Sequence, residues 1–74
     1  MNADRLVEAN PNKLSGTPVF RGTRVPIKNL FDYLEGGDSL EVFLADFPTV
    51  TREQALGVLE FSKNSLLSHY EIAV

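Results

Sequence analysis

Ile27, Leu30, Phe31 and Leu34 recur at i, i+3, i+4 and i+7, a spacing that gathers apolar side chains on one face of a helix. Pro26 suits the first turn of such a helix and Gly36-Gly37 its stop, so a first helix is predicted between them. The same spacing returns at Leu40, Phe43, Leu44 and Phe47. Asp38 and Ser39, either of which can cap a helix start, precede it, and Pro48 ends the run. Thr51-Arg-Glu-Gln54 reads as a capping box in which the Thr hydroxyl and the Gln side chain reciprocally satisfy free backbone amides, and Val50 can staple onto Ala55. A third helix is therefore predicted to start near Arg52. Its inward stripe is expected at Ala55, Leu56, Leu59, Ser62, Leu66 and Tyr70. Val58 and Phe61 lie off that stripe, so the helix is apolar over a wider arc than a lone three-helix core uses.

Ahead of the helices, Pro18-Val-Phe-Arg-Gly-Thr-Arg-Val-Pro26 places β-prone residues on both sides of Arg21-Gly22, where glycine can take the positive φ of a tight hairpin turn. Residues 1–17 are rich in turn formers, with one short apolar pair, Leu6-Val7, able to form a strand; a loosely held arm is expected. The pattern as a whole predicts a mainly α fold in a single domain over residues 1–74. Residues 1–26 would form a β-hairpin arm, and residues 27–74 a helical helix-turn-helix core with a C-terminal tail.

Composition adds the energetic setting. A 74-residue chain that is 43% hydrophobic and 23% charged is globular in make-up, yet a domain near this size buries only ~60% of its unfolded surface. With no cysteine, disulfides and thiolate zinc sites are excluded, which leaves oligomerisation or partner binding as the compensating source of stability. The excess apolar arc of Val58, Phe61, Leu66, Leu67, Tyr70 and Ile72 has no evident home within one such core. It is expected to form a partner or dimer interface, and a homodimer is expected on this ground. The N-terminus has no apolar leader and no stretch approaches a membrane span, so a soluble cytoplasmic protein with no membrane partner is expected.

The net charge of −3 conceals an uneven distribution. No acid lies between Glu8 and Asp32, where Lys13, Arg21, Arg24 and Lys28 make a basic arm. From Asp32 to Glu60 seven acids face one cation, Arg52, a local charge of −6. Phosphate contacts are therefore expected from the arm and not from the helical half.

Little in the chain points to catalysis. The single histidine, His69, has only Glu71 as a nearby carboxylate, too little for a metal site or a triad. The acids are spread along exposed helix faces, and Gly16 and Gly22 are isolated, so no phosphate cradle forms. No enzyme, cofactor or metal is expected; the one feature favouring a ligand binder is a set of phenylalanines able to line a pocket.

Pro48-Thr49-Val50 joins the second and third helices through a turn short enough to hold them at a steep angle, the layout of a helix-turn-helix. Thr49, Thr51, Arg52 and Gln54 lie near the N-terminal end of the third helix, where groove-reading side chains sit, with Arg suited to guanine and Gln to adenine. These residues equally serve as plain capping residues. Arg21 and Arg24, beside the hairpin turn, with Lys28, suit phosphate or minor-groove contacts, or else pair with acids of a neighbouring subunit.

The run Gly16-Thr-Pro-Val-Phe-Arg-Gly-Thr-Arg-Val-Pro26, the helix ending in Glu-Gly-Gly, Ser39-Leu-Glu-Val and Asp46-Phe-Pro-Thr-Val-Thr-Arg-Glu53 together resemble the domain-of-unknown-function 433 family, over roughly residues 5–62. The resemblance implies a homeodomain-like helical fold behind an N-terminal β-hairpin. It also implies the role of antitoxin of a VapBC-like type II toxin–antitoxin system, neutralising a PIN-like ribonuclease toxin. Dimerisation and transcription repression of the module's own operator DNA are implied as well, through Arg21, Gly22, Thr23 and Arg24 in the hairpin and Thr51 and Arg52 at the third helix. A protein-interaction or dimerisation module without DNA binding remains the alternative, favoured by the acidic helical half. The chain stops soon after the third helix, with residues 63–74 as a short tail, which leaves open which segment would hold a toxin.

Overall fold

In a computed structural model of the chain, which describes residues 5–9 and 16–70, the three predicted helices form: α1 (Ile27–Glu35), α2 (Leu40–Asp46) and α3 (Arg52–Tyr70). Two short strands, β1 (Val7–Glu8) and β2 (Val19–Phe20), pair antiparallel, with Val7 opposite Phe20 and Glu8 opposite Val19. The result is a mainly helical fold with a two-stranded sheet.

The element boundaries follow local chemistry. Pro26 is extended (φ −62°, ψ 141°), and the Ile27 amide just inside α1 donates to the Pro18 carbonyl at 3.0 Å. At the far end Gly37 takes φ 95°, the Asp38 amide donates to the Tyr33 carbonyl (2.9 Å), and the Gly37 amide donates to that of Leu34 (3.1 Å). This is a Schellman motif, and its left-handed residue is tolerable because glycine lacks a Cβ. Ser39 rather than Asp38 caps α2, its Oγ accepting from the Val42 amide at 3.2 Å. The capping box of α3 closes in both directions: the Thr51 amide donates to Gln54 Oε1 and the Gln54 amide to Thr51 Oγ1, each at 3.0 Å.

The hairpin is shorter than its residue pattern suggests. The Thr23 amide donates to the Phe20 carbonyl at 2.9 Å across a turn whose third residue, Gly22, has φ 80°, the geometry of a type II turn. Beyond it the returning limb makes one isolated bridge, Val19 to Pro26, together with a hydrogen bond from the Phe20 amide to the Val25 carbonyl (3.0 Å). Thr23 braces the turn, its hydroxyl donating to the Phe20 carbonyl (2.8 Å) and accepting from the Val25 amide (3.0 Å). Because β2 pairs with β1 instead, the N-terminal segment is held and not loose over residues 5–9. The Arg21 amide donates to the Leu6 carbonyl (2.9 Å), and Arg21 Nη2 to the Val7 carbonyl (3.0 Å).

Phe20, Leu30 and Phe43 are fully buried, and Val50, Ala55 and Val58 complete the cluster, against which half-buried Leu6 and Val7 of the N-terminal segment pack. Phe43 lies at its aromatic centre, with ring centroids 6.0 Å from Phe20, 5.5 Å from Tyr33 and 5.1 Å from Phe47. Tilted and edge-on pairs of this kind add to the energy of burial.

The expected inward stripe of α3 holds in part: Ala55 is buried and Leu59 and Ser62 are half-buried, but Leu56, Leu66 and Tyr70 are exposed. Val58 is 3% exposed and belongs to the core, so its assignment to an interface is corrected, whereas Leu56, expected inside, is 46% exposed. The reason is long-range: Leu6 approaches so closely that a Cβ on Gly57 would lie 2.9 Å from its Cδ2. The N-terminal segment thus packs on the flank of α3 and turns that flank, with Val58 and half-buried Phe61, inward.

Candidate binding surfaces

Sequence reasoning singles out two groups of residues, one for nucleic acid and one for a protein partner. Most of the first group is engaged within the chain. Arg21 is held on the Val7 carbonyl, and Arg52 at the start of α3 is ion-paired with Glu41 on α2. Lys28 meets Asp32 one turn along α1 at 2.6 Å, a hydrogen bond that raises its pKa above the ordinary lysine value. Thr51 and Gln54 spend their side chains on the capping box, and Gln54 Nε2 also donates to the Arg21 carbonyl at 2.9 Å.

Arg24 and Thr49 remain. They line one open groove of about 720 Å³ together with Glu8, Thr23, Asn29 and Phe47. The turn that Gly22 makes possible puts Arg24 on the groove's edge, and the five-residue link between α2 and α3 contributes Thr49. Lys13 lies outside the described residues, so the basic arm is present here as Arg21, Arg24 and Lys28. Among the described residues no group of three His, Asp or Glu side chains is placed to hold a metal ion, and no helix is long and apolar enough to cross a membrane.

The second group lies along α3. Val58 is core, Phe61 is half-buried, and Ile72 lies outside the described residues. Leu66, Leu67 and Tyr70 are 59, 57 and 69% exposed. Residues 63–70 are exposed throughout, so α3 runs about two turns beyond the described body of the chain. Leu56, which sequence reasoning placed inside, joins this exposed set, as does Val42 on α2 at 42%. The spacing of Leu56 with Leu59, Leu66 and Tyr70 is visible in the sequence, but the direction in which that stripe faces depends on Leu6.

The family described as "Protein of unknown function (DUF433)" matches residues 7–62 of this chain, from β1 through the half-buried part of α3. The chain belongs to the DUF433 family. It is similar to a DUF433 member protein from Anabaena variabilis of known crystal structure, with a TM-score of 0.70 and 25% identity, over 96% of this chain and 71% of that one. It is also 38% identical over 52 residues to "Uncharacterized protein y4eO" of Sinorhizobium fredii. That match takes in 70% of this DUF433 chain but 24% of the relative, so the chain spans about a quarter of the length of this curated relative.

Proposed function

We propose that this DUF433 chain is a non-catalytic binding module, the antitoxin of a type II toxin–antitoxin pair, which neutralises a PIN-like ribonuclease by covering it with the exposed end of α3. One observation carries the reading: Leu66, Leu67 and Tyr70 are each more than half exposed on a helix that outruns its own core. Apolar surface left in water costs ~25 cal/mol per Å², and two helical turns without tertiary packing hold poorly in water, so a partner that covers them gains on both counts. The test is co-expression with a PIN-like ribonuclease encoded beside this chain. Neutralisation is expected for the intact chain and its loss for Leu66→Asp with Tyr70→Asp; full neutralisation by the double variant, or by a chain lacking residues 66–74, removes this surface from the function.

Operator binding by a homodimer, with a homeodomain-like helix-turn-helix formed by α2 and α3, is the second reading. Arg24 and Thr49 on one groove favour it. Against it stand the intrachain engagement of Arg21, Lys28 and Arg52 and the acidic surface of the helical half, which favour a protein-interaction module without DNA binding.

A further inference from the structure

The exposed side of α3 has an internal order that narrows what can cover it. Leu56, Leu59, Lys63, Leu66 and Tyr70 follow one another at alternating steps of three and four residues, the spacing of a seam that packs against another helix. Leu56, Leu66 and Tyr70 are exposed and Leu59 is half-buried, so the seam runs from the body of the chain to the last described turn, with Leu67 on its flank. Its centre is charged. Lys63 is 58% exposed and meets only Glu60 of its own helix, at 3.1 Å, among the described residues. A surface pair of this kind is weak and its members exchange partners readily.

We infer that this seam receives an amphipathic helix of a different protein, one that presents a carboxylate opposite Lys63 between apolar residues, and not a second copy of this chain. The inference rests on the reading of α3 as a protein-docking surface and specifies the chemistry of the partner. Self-pairing fails on register. An antiparallel pair that buries the whole seam centres on residue 63, midway between Leu56 and Tyr70, so it sets Lys63 against the same lysine of the other copy and Leu66 against Glu60. A parallel pair in register also stacks lysine on lysine. Shifted antiparallel registers part the lysines only by leaving Leu56 or Tyr70 without an apolar partner in the described helix. Two copies of net charge −3 repel one another besides. A foreign helix with an acid at its middle position fills every layer: leucines and tyrosine meet apolar side chains, and Lys63 exchanges Glu60 for an intermolecular carboxylate shielded from water. A lone polar residue within an apolar seam also fixes register and partner choice.

The test uses the full chain and two labelled helical peptides that carry leucines at the flanking seam positions and differ only in a central Glu or Lys. Fluorescence anisotropy is expected to show at least ~10-fold tighter binding of the Glu peptide, with the preference reversed in Lys63→Glu. Sedimentation equilibrium is expected to give the same oligomeric state for the wild type, Leu66→Asp and Tyr70→Asp, all three with the helix content of the parent by circular dichroism. Equal affinity for the two peptides, a preference that survives Lys63→Glu, or a dimer that either aspartate variant dissociates would each overturn the inference. Loss of the charge preference alongside intact ribonuclease neutralisation sinks this inference and spares the antitoxin reading; a retained preference without neutralisation does the reverse.

Discussion

The side-chain amide of Gln54 donates to the backbone carbonyl of Arg21 at 2.9 Å, joining the start of α3 to a turn 33 residues earlier, while its Oε1 accepts from the Thr51 amide. One side chain thus caps a helix and anchors the hairpin. Gln54→Ala is expected to lower stability by about 1–2 kcal/mol, the sum of a lost cap and a lost hydrogen bond. Gln54→Glu separates the two, because a carboxylate still accepts from Thr51 but has no amide to offer Arg21. Urea unfolding should rank wild type, Glu and Ala in descending order; equal stability of the Glu variant and the wild type would show that the tie to Arg21 contributes nothing.

Arginine substitutions in the hairpin should have unlike effects. Arg21 holds the Val7 carbonyl, so Arg21→Ala loosens β1 and lowers stability along with any affinity for DNA. Arg24 lines the groove edge, and Arg24→Ala should leave stability within roughly 0.5 kcal/mol. If operator DNA binds here, Arg24→Ala weakens it and lowers the salt dependence by about one phosphate contact. Binding and salt slope unchanged in a folded Arg24→Ala protein would move DNA readout off this groove.

Tyr33 links stability to pH. Its hydroxyl donates to Asp46 Oδ2 at 2.7 Å, and this bond, followed by burial and the charges of Asp46 and Asp38, raises its pKa above the ordinary phenol value. Since the neutral phenol is the favoured form, the stabilisation is complete below the unfolded value of ~10 and is lost as pH rises through the raised folded value. Tyr33→Phe lacks the titrating group. The stability gap between wild type and Tyr33→Phe should therefore be constant near neutrality and close in strong alkali; a gap independent of pH would remove the Asp46 bond from the account.

What could be read in the sequence was local. The bounds of α1, the cap of α2, the Thr51–Gln54 box and the positive φ of Gly22 each depend on residues within a few positions of one another; all took an expected form, with Ser39 the one of the two candidate caps that is used. The inward face of α3 did so only in part, because Leu6 packs on one flank of that helix, and no periodicity within the helix contains Leu6. The intrachain partners of the DNA-reading set were hidden for a similar reason. Arg52 finds Glu41 eleven residues away and Arg21 finds Val7 fourteen away, so two of the expected contact cations are tied within the chain.

Gly57 offers the sharpest test of that long-range control. In the middle of a helix glycine costs up to ~1 kcal/mol relative to alanine, so Gly57→Ala would ordinarily stabilise α3. Here the added Cβ would stand 2.9 Å from Leu6 Cδ2 and 3.0 Å from Cδ1, nearer than such atoms approach, so Leu6 must move away from the core it half-covers. Gly57→Ala in the wild-type background is therefore expected to be neutral or destabilising. In a Leu6→Ala background the same change meets no obstruction from that side chain and should add about 0.5–1 kcal/mol. The two substitutions should couple by about 1 kcal/mol in a double-mutant cycle followed by urea unfolding. Additive effects, or a plain gain from Gly57→Ala in the wild type, would mean that Leu6 relaxes freely and does not set the face that α3 turns to the core.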